Sequence, residues 1–121
     1  MKQLGAAGLL TIVAMLLVIG AALAKGDPAK GKAVYDLNCA PCHGTAGKGD
    51  GPAAAALNPK PKDLVDKGFV NTLKDDFLEK LIKGGGPTVG LSPVMPPFGT
   101  ALKESDIENV IAYLRSLAKK R

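Results

Sequence analysis

Residues 38–44 read Asn-Cys-Ala-Pro-Cys-His-Gly, and they hold both cysteines and the single histidine of the 121-residue chain. Cys39, Cys42 and His43 therefore act together, or on something the chain binds. A closed zinc site takes four ligands, and three crowded into five positions do not surround an ion. A thioredoxin-like redox pair sits in a βαβ setting, and the chain has no period-2 strand pattern. A disulfide between the two cysteines is open on spacing alone, but it leaves the long loops described below without anything to order them. The remaining reading is C-x-x-C-H as covalent haem attachment. The two thiols become thioethers, and on a helical turn His43 faces the iron from the same side.

The rest of the chain is patterned as short helices between Gly- and Pro-rich stretches. Residues 27–42 predict a helix, with Asp27 as cap, Pro28 at the first helical position and an apolar stripe of Ala29, Ala33, Val34 and Leu37. Residues 75–83 predict a second, with Phe77, Leu78, Leu81 and Ile82 on one face and glycines with Pro87 just beyond. A third begins at a Ser105-Asp106-Ile107-Glu108 capping box and repeats Ile107, Val110, Ile111, Leu114 and Leu117. Residues 44–63 and 84–99 read as irregular loops, the first with one short helical turn at Ala53–Leu57. Loops of that length are unusual in a compact domain unless something within orders them.

The N-terminus is a targeting pattern. Leu4 to Ala24 carries no charge and ends in Ala22-Leu23-Ala24, a small-x-small cleavage site. We read residues 1–24 as a secretory signal peptide and 25–121 as one domain, located in the periplasm. The alternative is an uncleaved anchor, since 21 uncharged residues are about enough to span a bilayer. Removal of Lys2 leaves 15 Lys and Arg against 11 Asp and Glu, a formal charge of +4. That excess suits encounter with an acidic partner. It is too modest and dispersed for nucleic acid, and the aromatic interleaving that binds single strands is absent.

Taken together, these motifs resemble a class I monohaem cytochrome c of the small bacterial periplasmic type, over essentially all of residues 27–118. Gly31-x-x-x-Tyr35-x-x-x-Cys39-x-x-Cys42-His43 is similar to that family's N-terminal helix running into its haem motif. Val110-Ile111-Ala112-Tyr113-Leu114 resembles the partner helix, which implies that it crosses close over Gly31 with Tyr35 and Tyr113 at the crossing. Gly51-Pro52 stands where the family has a Gly-Pro whose proline carbonyl accepts from the proximal histidine's Nδ1. Met95-Pro96-Pro97-Phe98-Gly99 resembles the loop presenting a distal methionine. The resemblance implies an all-α fold of three to five short helices with Gly/Pro-rich loops wrapped around one haem c.

For the sixth iron ligand, a second histidine is ruled out, and Met95 is the only methionine outside the signal segment. It lies in a Pro/Gly loop instead of a helical stripe, which favours a ligand over a gap-filling core methionine, and His/Met is a usual cytochrome c pairing. The expected site is thus Cys39 and Cys42 as thioethers, His43 and Met95 as axial ligands, and Pro52, Tyr35 and Phe98 beside the haem. The expected function is one-electron transfer between periplasmic or membrane redox partners by a monomer, without enzymatic chemistry. Some of lysines 48, 60, 62, 67, 83 and 103 would steer docking to acidic partner surfaces. Two other readings stay open. One is a membrane-anchored subunit of a respiratory oxidoreductase complex. The other is a gas-binding sensor or weak peroxidase, should Met95 not bind the iron.

Overall fold

The structure, a computed structural model, describes residues 25–120. The 1–24 segment expected as a signal peptide lies outside them. Among the described residues all regular structure is helical, and no helix is long and apolar enough to cross a membrane.

Helix α1 spans Pro28–Asn38. Asp27 caps it, its Oδ1 accepting from the Ala29 N–H at 2.8 Å and the Lys30 N–H at 3.4 Å. A one-turn helix α2, Ala40–His43, follows directly, so the predicted 27–42 helix is two pieces with a break at Cys39. Helix α3, Asp75–Gly84, buries Leu78, Leu81 and Ile82 and carries Asp75 and Asp76 at its positive end. Helix α4, Glu104–Lys119, buries Ile107, Val110, Ile111, Tyr113, Leu114 and Ala118.

The start of α4 differs from the expected Ser105 cap. Lys103 is the cap residue, and its N–H donates to Asp106 Oδ2 at 3.0 Å. Asp106 is the carboxylate that closes back on the first turn, which brings the helix start two residues earlier than expected, to Glu104. Three 3₁₀ turns complete the regular structure of the described residues: Ala54–Ala56, inside the expected 53–57 turn, and two that patterning did not reveal, Asp66–Thr72 and Gly86–Val89.

The main packing is α1 across α4. Gly31 makes it possible: a Cβ there would run into the main-chain carbonyl of Asn109 and lie 3.0 Å from Tyr113 Cβ. The rings of Tyr35 and Tyr113 meet at the same crossing, with centroids 5.2 Å apart and planes tilted by 57°. Asn109 also holds the chain ahead of α1, its Oδ1 accepting from the Asp27 N–H at 2.7 Å. Tyr35, Val70, Ile107 and Val110 are the largest fully buried side chains, at the centre of one cluster that also holds Val65, Leu78 and Ile82. Arg115 of α4 closes the far side. Its guanidinium donates to the Val70 and Leu73 carbonyls, each at 2.5 Å, and pairs with Asp75 at 2.6 Å. One side chain thus joins α4, the Asp66–Thr72 turn and the start of α3.

Candidate haem and iron site

The cysteine cluster is built on α2. His43 N–H donates to the Cys39 carbonyl at 2.8 Å and Gly44 N–H to that of Ala40 at 2.9 Å, closing one helical turn. Residues three and four apart on such a turn are neighbours, so Cys39, Cys42 and His43 share a face. The thiols are half-buried and not joined to one another. Burial, with the neighbouring Cys42 second, pushes the Cys39 thiol up to about 12. Behind the turn, Gly51 N–H donates to the Cys42 carbonyl at 3.0 Å and Ala53 N–H to that of Pro41 at 2.9 Å.

The carbonyl facing His43 is not that of Pro52. His43 Nδ1 lies 3.0 Å from the Lys62 carbonyl oxygen. A carbonyl only accepts, so Nδ1 carries the ring proton and Nε2 presents its lone pair. Pro52 is exposed, in the turn that braces the back of α2, where Gly51 and Ala53 are bonded to the Cys42 and Pro41 carbonyls. The brace draws this turn onto α2, and the Lys62 segment supplies the carbonyl. Burial lowers the His43 pKa from its ordinary value, and the Lys62 bond opposes that shift. The neutral ring that burial favours is also the form that binds metal.

Tyr35 reaches the cluster indirectly. It is 1% exposed, and its hydroxyl donates to the Gly44 carbonyl at 2.7 Å, directly after His43. Burial raises its phenol well above the usual range.

Met95 sits in a loop stitched to the end of α3 on both sides. Gly86 N–H donates to the Met95 carbonyl at 3.0 Å, Phe98 N–H to that of Ile82 at 2.9 Å, and Gly99 N–H to that of Lys83 at 3.0 Å. Met95 and Phe98 are half-buried and pack against the same core cluster as Cys39. One apolar core therefore backs the cysteine turn and the methionine loop alike.

This donor set fits a covalently held haem. It offers two unjoined thiols on one turn, an imidazole of defined tautomer, a thioether, and apolar side chains including Leu64, Leu73 and Phe98 that are only partly covered by protein. Among the described residues no three His, Cys, Asp or Glu side chains group to hold a bare metal ion. The Lys62 carbonyl had no counterpart in the sequence reading, because a carbonyl carries no residue type.

Comparison with known proteins agrees with this chemistry. Residues 28–118 match the family model for cytochrome c. The chain is 38% identical over 98 residues to cytochrome c-554(547) of Halothiobacillus neapolitanus, covering 76% of this chain and 98% of that protein. It is 31% identical over 117 residues to cytochrome c6 of a Synechococcus strain, covering 93% and 94% of the two chains. It is also 35% identical over 101 residues to the cbb3-type cytochrome c oxidase subunit FixP of Azorhizobium caulinodans, covering 74% of this chain and only 29% of that subunit.

Proposed function

The chain belongs to the cytochrome c family, and on that premise we propose that His43 and Met95 are the axial ligands of its iron. The protein is an electron carrier, not an enzyme, and binds haem c covalently through the C-x-x-C-H motif of Cys39 and Cys42. When bound, the haem supplies one-electron redox chemistry, its iron alternating between ferric and ferrous.

The protein's own residues set the conditions for that exchange. Cys39 and Cys42 hold the group by two bonds, so it is not lost between partners. His43, its Nδ1 proton committed to the Lys62 carbonyl, offers Nε2 in a defined orientation. Met95 offers a thioether, which favours the reduced iron and raises the potential. Held by both His43 and Met95, the iron would have no position left for a substrate. Phe98 and the neighbouring apolar side chains limit water around the site. The observation that carries this reading is the half-buried turn on which two unjoined thiols and an imidazole of defined tautomer stand together.

The protein exchanges electrons with redox partners. We place it in the periplasm, exported through residues 1–24 and cut before Lys25, acting as a monomer on partners with acidic docking surfaces. The likeness to FixP favours a second reading, a tethered subunit of an oxidase, with residues 4–24 retained. N-terminal sequencing of the protein from membranes and from periplasm separates the two, since a chain starting at Lys25 has no tether.

The test of the ligands is the ferric visible spectrum. A weak far-red sulfur-to-iron band is expected in the native protein and is lost in Met95→Ala. A high-spin native spectrum, or rapid carbon monoxide binding by the reduced protein, would show the sixth position open and support a gas-binding or peroxidase role.

A further inference from the structure

The Lys62 carbonyl reaches His43 from a segment with little regular support. Pro59 and Pro61 have no N–H to donate, and between Leu57 and Leu64 no backbone N–H finds a backbone carbonyl among the described residues. What organises the stretch is Asp63. Its Oδ1 accepts from the Val65 N–H at 3.0 Å and from the Asp66 N–H at 2.9 Å, closing an Asx turn directly after the carbonyl in question. Leu64 N–H then donates to the Gly47 carbonyl at 2.7 Å, fastening the turn to the loop that follows α2. Gly49 lies between the two, its N–H donating to the His43 carbonyl at 2.8 Å. Its φ is +78°, and a Cβ there would press on the Pro61 carbonyl and the Lys62–Asp63 peptide. The Lys62 side chain turns away, its Nζ 4.8 Å from the Phe69 ring centroid.

We propose that Asp63 is a positioning residue for the iron-binding imidazole, its carboxylate closing the turn that aims the Lys62 carbonyl at His43 Nδ1. The proposal rests on His43 being the axial ligand. A firm bond from Nδ1 makes the ring a stronger base and favours ferric iron. Loosening that bond therefore moves the midpoint potential upward. The role needs an acceptor at the reach of an Asp side chain, not a negative charge, so Asn serves and Glu does not.

The experiment compares Asp63→Asn, Asp63→Glu and Asp63→Ala as reduced, haem-loaded proteins. Three quantities are read: exchange of the His43 ring Nδ1 proton, exchange of the Val65 and Asp66 amides, and the midpoint potential. Asp63→Asn is expected to keep all exchange rates within about twofold of native. Asp63→Glu and Asp63→Ala are expected to speed them at least about tenfold, with a higher potential in Asp63→Glu than in Asp63→Asn. Equal exchange in native and all three variants overturns the proposal. So does a native-like Asp63→Glu beside a perturbed Asp63→Asn, which would make the charge the active feature. If Asp63→Ala does not mature, the Asn and Glu pair decides alone. A native His43 ring resonance without haem-induced shift would instead overturn the axial reading, and this proposal with it.

Discussion

The hydroxyl of Tyr35 ties the core to the haem turn through a single bond to the Gly44 carbonyl. Tyr35→Phe keeps the ring against Tyr113 and removes one of that carbonyl's two donors, leaving the Gly47 N–H at 3.1 Å. The expected loss is about 0.5–1.5 kcal/mol of stability, the net worth of one hydrogen bond, read from denaturant unfolding of the haem-loaded protein, with the far-red band retained. At this scale the sequence was readable wherever a side chain carries the chemistry. The thiols and imidazole of Cys39, Cys42 and His43 announce themselves by type and spacing, and Tyr35 and Tyr113 meet as the family resemblance implied. The partner of His43 was not readable in the same way. Every residue has a carbonyl, and only the folded path of the 58–66 loop selects that of Lys62 over that of Pro52.

Between elements, the crossing of α1 and α4 depends on a missing methyl group. Gly31→Ala sets a Cβ against the main-chain carbonyl of Asn109, which is held within a helix and cannot step aside. The helices would separate or shift, at an expected cost of about 1–3 kcal/mol, measured by unfolding and by lost near-ultraviolet dichroism of the tyrosine pair. Arg115 is the second joint. Arg115→Lys keeps the charge but not the planar fork that reaches two carbonyls and Asp75 together. We expect faster amide exchange in the Asp66–Thr72 turn, with little change in α1. This explains which elements were legible. Helices α3 and α4 bury continuous apolar stripes, and these show as periodicity. The Asp66–Thr72 turn is held by a guanidinium some forty residues later in the chain and has left-handed backbone at Lys67 and Gly68. No local pattern announces such a turn. The α4 cap was displaced for a related reason: Ser105 is a good cap by type, but Asp106 was in reach of the Lys103 N–H.

For the whole molecule, the excess of 15 Lys and Arg over 11 Asp and Glu in residues 25–121 predicts how the protein meets its partners. Transfer to an acidic redox protein should slow as salt rises through about 0.15 M, where screening acts over about 8 Å. Transfer to an uncharged small-molecule oxidant should barely change. Stopped-flow rates at several ionic strengths check both. A second consequence comes from how the two proposed iron ligands are tied into the chain. His43 lies beside two covalent anchors, whereas the Met95 loop hangs from the last turn of α3 by the Phe98 and Gly99 N–H groups and from the turn just after it by the Gly86 N–H. The sulfur rides on α3 as a load on a lever arm. With Met95 on the iron as proposed, whatever loosens that helix would reach the iron first from the methionine side, while the thioethers keep the haem in place to be grasped again.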